Sequence, residues 1–490
     1  MSFPLRPSQT KIVATVGPAC DSREMIRSLI LAGVDVFRLN AAHGALEDHT
    51  RRLKAIRDAE AELQCSVAVL LDLAGPKIRL GEIPGGSLEC HANDRVRFVK
   101  GPAASGTGEL TTTFPAVLDD LEVGNRVLLA DGLVELEVVE VSTEAVICRV
   151  VQPGVVRSRQ GMHVPGAKLR VRILDEADLA AAAWAARHGV DFVGLSFVRT
   201  PEDVSALREH LLQHGSDAQI IAKIEKAEAL DRLEEIVAAA DGVMVARGDL
   251  GVETDIARLA VAQKKIIDAA RRHCKPVVVA TQMLDSMQHS PLPTRAEVTD
   301  VANAVLDGAD ACMLSGETAI GRFPLESVAM MHRIALAAEE YARSRARDGL
   351  PVPQIVSPAR EDSITEATAF HAGALATTLD AKLLIVATHS GKTALRISKY
   401  RFGMPTVGVA SNPTALRRMA LYWGIIPLAQ APATESHRLL PFVTRWAMRR
   451  NMIAAGDLIV SLRGTGLAND QQNAILVHRV TDTPPTDDGP

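Results

Sequence analysis

QIIAKIE at residues 219–225 and DGVMVAR at 241–247 decide the fold. Each is a short apolar run that closes on a charged residue, with a helical pattern between them. Six more short apolar runs recur along the chain: KIVATVG (11–17), VDVFRLN (34–40), SVAVLLD (66–72), VDFVGLS (190–196), KPVVVAT (275–281) and ADACMLS (309–315). Helical segments such as REMIRSLILAG (23–33) and DLAAAAWAARHG (178–189) separate most of them. Strand alternating with helix predicts a parallel sheet, and eight units predict closure into a barrel.

One connection breaks the rhythm. After LDLAGPKIRL (71–80) come short alternating runs such as RVLLADGLVELEVVEV (126–141) and AVICRVV (145–151), which read as a small all-β insertion. It leaves the barrel at the third strand's loop and is expected to form a lid over the catalytic end. DGLPVPQIVSPARED (348–362) carries Pro and Gly breaks and reads as a linker. Strands KLLIVAT, PTVGVAS, GIIPLAQ and DLIVSLR follow. The expected architecture is α/β: a (β/α)8 TIM barrel (1–80 and 165–347), an inserted small β-barrel lid domain (81–164) and a C-terminal α/β domain (348–490).

Composition narrows the function. Aromatic residues are only 3% of the chain, too few for stacking platforms on single-stranded nucleic acid. A net charge of -5 argues against a general polyanion binder but leaves room for a local cationic pocket. Cys20, Cys65, Cys90, Cys148, Cys274 and Cys312 form no CxxC pair, so reduced thiols are expected rather than a zinc site or disulfide framework. The opening MSFPLRPSQTK has no apolar signal-peptide core and no uncharged apolar run is long enough for a bilayer. A cytoplasmic protein with neither membrane nor nucleic-acid partner is the expectation.

Barrel chemistry sits at the C-terminal ends of the strands. Strand residues two apart share a face, which pairs Arg38 with Asn40, Lys223 with Glu225 and Arg247 with Asp249, while Asp72 ends the third strand. Any one pair is equally well a structural ion pair; several at one rim point to a site. Glu225 and Asp249 are hard oxygen donors suited to Mg²⁺ or Mn²⁺, with Lys223 placing positive charge on the same ligand. Arg38 and Arg79 offer forked donors matching phosphate. Gly75 and Gly248 let backbone approach a ligand, or serve only as turns.

Most of these residues lie in runs that resemble pyruvate kinase: TKIVATVGPA (10–19), FRLNAAHG (37–44), IIAKIEKAE (220–228), DGVMVARGDLGVE (241–253), KPVVVATQML (275–284) and PTRAEVTDVANAVLDGADACMLSGETA (293–319). The resemblance extends to the strand near Val480. It implies phosphoryl transfer between phosphoenolpyruvate and ADP, giving pyruvate and ATP, with divalent metal and a homotetramer. By resemblance Lys223 stabilises the transition state, Glu225 and Asp249 bind metal, and Arg38, Gly248 and Thr281 surround phosphoenolpyruvate. Asn40, His43 and Arg79 fall near the nucleotide and transferred phosphate. Thr281 and Ser315 either relay a proton to the enolate carbon or merely cap loops. Asp131 is the aspartate expected to close toward Arg79. A catalytically silent, metabolite-sensing relative would need a broken centre, yet each of these residues is present. The long run at 293–319 separates the chain from other phosphoenolpyruvate-using barrels.

Three departures matter. Ala42 and Leu73 stand where K⁺-dependent members have oxygen donors, and Lys77 replaces the glutamate of GPEIR. The Lys77 ammonium is expected to supply the ion's charge, so K⁺ is not expected to be required. Gln160 stands where some relatives have a second basic residue.

In the C-terminal domain, KLLIVATHSGKT (382–393) leads into a helix expected to start at about Ala394. Thr388, Ser390, Gly391, Lys392 and Thr393 read as an anion site at a helix N-terminus, or as a plain capped turn. Val386 excludes a Walker A loop. The resemblance implies a sugar-phosphate or nucleotide effector here, with RGTGLAND (463–470) facing the same pocket.

Overall fold

Alternation of side chains fixes the barrel. Along the first strand Ile12 and Ala14 pack outward against helices while Val13 points inward, and Val69 and Leu71 likewise oppose Ala68 and Leu70 along the third. In the computed structural model, which describes residues 8–101, 106, 108–130, 132–167, 170, 172–347, 363–464 and 473–481, the eight apolar runs close into one parallel barrel. Its strands are Lys11–Thr15, Val36–Asn40, Ala68–Asp72, Phe192–Leu195, Gln219–Ile224, Gly242–Ala246, Val277–Ala280 and Ala311–Leu314. Each fully buried Val, Leu or Phe on these faces stabilises by roughly 1.5–3 kcal/mol.

The interior is apolar through its lower layers, with Val36, Leu70, Phe192, Ile221, Met244 and Val278 in one cluster. The same inward face turns polar at the C-terminal end. Two residues beyond Val36, Leu70 and Ile221 stand Arg38, Asp72 and Lys223. A Cβ on Gly194 would lie 2.9 Å from Asp72 Oδ1, so the missing side chain there makes room for that carboxylate.

Between the third strand and the helix Glu176–Arg187 lies the β insertion. A six-stranded sheet and a two-stranded ribbon enclose a core that includes Leu80, Phe98, Leu129, Leu136 and Val150. The C-terminal sheet has five strands: Ile425–Pro427, Thr406–Val409, Leu383–Ala387, Leu458–Gly464 and Asn473–Arg479, in that spatial order. The last is antiparallel and the others parallel. The proposed linker 348–362 falls outside the described residues.

At the opposite, N-terminal end of the barrel, Asp residues that precede strands cap neighbouring backbone and grip the C-terminal domain. Asp310 accepts from Val277 N at 2.8 Å and pairs with Lys399 at 2.5 Å and Arg401 at 3.0 Å. Asp191 accepts from Val69 N at 2.9 Å and pairs with Arg417 at 2.8 Å. No helix among the described residues is long and apolar enough to cross a membrane.

Candidate active site at the barrel rim

The site is organised by one buried carboxylate. Asp72 takes Arg38 Nε at 2.7 Å and its terminal nitrogen at 2.6 Å on Oδ2, and faces Lys223 Nζ at 3.2 Å through Oδ1. Burial opposes the ionised form, but Lys223 and Arg38 outweigh it and hold Asp72 below the usual carboxylate range. Arg38 also donates to Thr15 Oγ1 at 3.1 Å, which fixes the plane of the guanidinium.

Lys223 reaches Glu225 Oε1 at 2.9 Å and Ser196 Oγ at 2.7 Å. Burial works against its charge, yet Asp72 and Glu225 together raise its pKa above the ordinary lysine value. The ammonium therefore stays charged at neutral pH. Ser196 donates its own O–H to Leu73 O at 2.7 Å, leaving its lone pairs for Lys223. Sequence reasoning missed Ser196; its inward position two residues after Gly194 was the available signal.

Glu225 is 1% exposed and accepts from Phe197 N at 2.7 Å. Burial raises its pKa; Lys223 opposes this and the neighbouring Asp249 carboxylate adds to it. Two hard carboxylates that repel each other at a cationic rim are what a divalent ion would relieve. Among the described residues no cluster of three or more His, Cys, Asp or Glu is arranged for a metal.

The pairing of Arg247 with Asp249 is corrected by the structure. The sixth strand ends at Ala246, and Arg247–Glu253 is helical. Residues two apart on a helix do not share a face. Arg247 instead points away to structural partners: Asp300 at 2.6 Å and Thr281 O at 2.7 Å. Asp300 lies in the helix Arg295–Asp307, capped by Thr294 with Glu297, so the PTRAEVTD run is a scaffold for this clamp.

Thr281 follows the seventh strand with φ of 69°, and Gln282 with 53°. A β-branched residue in the left-handed region is strained, and such strain persists where surroundings over-determine it. Here Thr281 Oγ1 accepts from Gly248 N at 2.8 Å. A Cβ on Gly248 would make ordinary van der Waals contact with Thr281, whose Oγ1 would be nearest at 3.6 Å. Gly75 differs: its φ is +66°, and a Cβ would collide with Phe197 at 2.7 Å. Ser315 stands at the end of the eighth strand, half-buried, its N–H donating to Glu317 at 2.6 Å.

The remaining expected residues spread along the rim. Asn40 Oδ1 accepts from Ala42 N at 3.2 Å, and His43, the next residue after Ala42, is exposed. Arg79 donates to Arg159 O of the lid at 3.1 Å. Gln160 is turned back onto Arg157 N at 2.6 Å. Lys77 lines a cleft beneath the lid with Met162, His163, Phe197, Arg199 and Lys226. Among the described residues no ion pair joins Lys77 to Asp72. Asp131 lies outside the described residues. Asp178, which the sequence did not flag, accepts from Ala74 N at 3.0 Å and Gly75 N at 3.1 Å and so sets the GPKIR turn.

Far from the rim, the helix Lys392–Tyr400 begins two residues earlier than expected, with Gly391 as its N-cap at φ 85°. Thr388 Oγ1 accepts from Gly391 N at 3.2 Å, while Ser390 and Lys392 are exposed and Thr393 is half-buried. The RGTGLAND loop, from residue 465 on, lies outside the described residues.

A sequence profile described as "Pyruvate kinase, barrel domain" matches residues 7–328, and one described as "Pyruvate kinase, alpha/beta domain" matches 366–478. The chain belongs to the pyruvate kinase family. A pyruvate kinase of Geobacillus stearothermophilus is 39% identical over 481 residues, covering 97% of this chain and 81% of the relative. One from Mycobacterium tuberculosis is 39% identical over 471 residues, covering 96% and 98%. A crystal structure of a pyruvate kinase from Cryptosporidium parvum superposes with a TM-score of 0.87 at 33% identity, covering 96% of both chains. The enzyme class is therefore phosphotransferase, and pyruvate kinase activity carries a divalent-metal dependence. The rim of this chain supplies two fixed cations and two carboxylates, the charge pattern that phosphoryl transfer requires.

Proposed function

We propose that the chain transfers the phosphoryl group of phosphoenolpyruvate to ADP, giving pyruvate and ATP in cytoplasmic glycolysis. The observation that carries this reading is the convergence of Arg38, Asp72, Lys223 and Glu225 at one rim. Phosphoryl transfer proceeds through a loose transition state, so positioning and charge stabilisation are the protein's main contributions. Arg38 grips the phosphoryl oxygens with its remaining donors. Lys223 sits where charge moves from the bridging oxygen to the enolate. Mg²⁺ or Mn²⁺, held by Glu225 and Asp249, supplies Lewis-acid stabilisation of the same oxygens when bound. Gly248 gives the substrate room beside Thr281.

Asn40, His43 and Arg79 serve the nucleotide side, where Arg79 stands next to the lid. Thr281 and Ser315 carry the proton through water to the enolate carbon. K⁺ is not required: Leu73 is 1% exposed within the apolar layer and Ala42 has no side-chain oxygen to offer, while Lys77 brings a cation to the cleft. Thr388, Ser390, Gly391, Lys392 and Thr393 bind the phosphate of a sugar-phosphate or nucleotide effector in a homotetramer.

A coupled assay for pyruvate from phosphoenolpyruvate and ADP, with and without Mg²⁺, tests the reaction. Metal-dependent pyruvate release is expected; its absence from a folded preparation refutes the reading.

A further inference from the structure

A second ionic cluster lies beneath the lid, and the mechanism above does not use it. Lys226 follows Glu225 directly. Its ammonium lies 2.5 Å from Glu253 Oε1 and 5.9 Å from the centre of the Phe197 ring. Phe197 is the residue whose N–H holds Glu225. Glu253 closes the short helix whose first turn carries Gly248 and Asp249. Its other neighbour is His163 Nδ1, at 3.4 Å, on the strand by which the lid returns to the barrel. Glu253 and His163 are 2% and 6% exposed at their side chains.

One buried carboxylate thus joins the residue after the first proposed metal ligand, the helix of the second, and the lid. We propose that Lys226, Glu253 and His163 are positioning residues: Glu253 keeps the Lys226 ammonium off the Glu225–Asp249 pair and fastens the lid's return strand to the helix that carries Asp249. This rests on reading Glu225 and Asp249 as the metal ligands. Without Glu253, Lys226 becomes an unpaired cation one residue from Glu225, where it competes with a divalent ion for the same oxygens. Groups that orient metal ligands from outside typically change affinity by about 10–100-fold when removed.

Three variants separate the parts, with Mn²⁺ binding followed by paramagnetic resonance in the absence of substrates and lid motion by amide hydrogen exchange. Glu253→Gln is expected to weaken Mn²⁺ binding about tenfold or more and to speed exchange in the strands Arg126–Leu129 and Met162–His163. Removing both charges, in Lys226→Met with Glu253→Gln, is expected to restore most of the Mn²⁺ affinity while lid exchange stays fast. His163→Asn is expected to speed lid exchange and leave Mn²⁺ binding near that of the wild type. A role confined to stability would lower the melting temperature alone. Unchanged Mn²⁺ affinity in Glu253→Gln, or wild-type lid exchange in His163→Asn, overturns the proposal. Should the wild type itself bind no Mn²⁺, the ligand assignment fails first, and the exchange measurements still decide whether the latch exists.

Discussion

Arg38 meets Asp72 through two nitrogens on a single oxygen, Oδ2, which leaves Oδ1 turned toward Lys223. One carboxylate thereby sets the spacing between two cations, Arg38 and Lys223, that we propose act on the same substrate. Neither cation can shift without disturbing the other, because both pair with the same buried carboxylate and are themselves only 12% and 11% exposed at their side chains.

The fork of Arg38 is the first thing to test. A lysine in its place keeps the charge but cannot engage Asp72, Thr15 and a phosphoryl oxygen together. Arg38→Lys should raise the KM for phosphoenolpyruvate by about tenfold or more, a loss of roughly 1.4 kcal/mol of binding. Steady-state kinetics at saturating ADP measure this; an unchanged KM removes Arg38 from the phosphate.

Monovalent cations provide an independent check. Wild-type activity should be the same in K⁺ as in a non-binding counter-cation. Lys77→Glu should lose activity in the absence of K⁺ and regain only part of it on adding K⁺, since Ala42 and Leu73 still supply no side-chain oxygen. Strong K⁺ activation of the wild type would refute the role given to Lys77.

Asp178 gives a pH signature. Burial, helped by the Asp175 charge, pushes its carboxyl up to about 6 despite the Gly75 and Ala74 N–H groups. A folded pKa above the ordinary value of about 3.9 means that its contribution is full below pH ~4 and is lost as pH rises through ~6. The stability of the wild type relative to Asp178→Asn should fall across that window, by on the order of 3 kcal/mol, and stay level above it. Denaturant titrations at a series of pH values read the difference; a flat profile contradicts the assignment.

Docking of the C-terminal domain rests on Asp310, which has no exposed surface. Lys399→Met leaves that carboxylate paired with Arg401, with Arg271 nearby, and should cost about 3 kcal/mol. Thermal or urea unfolding would show it. A loss under about 1 kcal/mol would mean that the remaining arginines suffice.

The barrel was legible because its strands are continuous apolar runs whose inward and outward faces are both buried. The rim was legible for the same reason: a charged residue at the end of such a run has only the mouth to point into, as Arg38 and Lys223 do. What was hidden depends on where a strand stops. Arg247 continues the period-2 pattern on paper, but the backbone turns helical there and its side chain goes to Asp300. Phe197 and Thr281 adopt positive φ without any glycine to announce it. Asp178 and Glu253 looked like ordinary helix carboxylates, since their partners are a turn and a strand distant in sequence.

Replacement of Lys223 by methionine tests the central claim most directly, with pyruvate release and Mn²⁺ binding measured on the same preparation. Loss of an electrostatic stabiliser of this kind should lower turnover by about 10²–10³-fold or more while the folded protein still binds Mn²⁺ through Glu225 and Asp249. Turnover within a few-fold of the wild type would contradict the account.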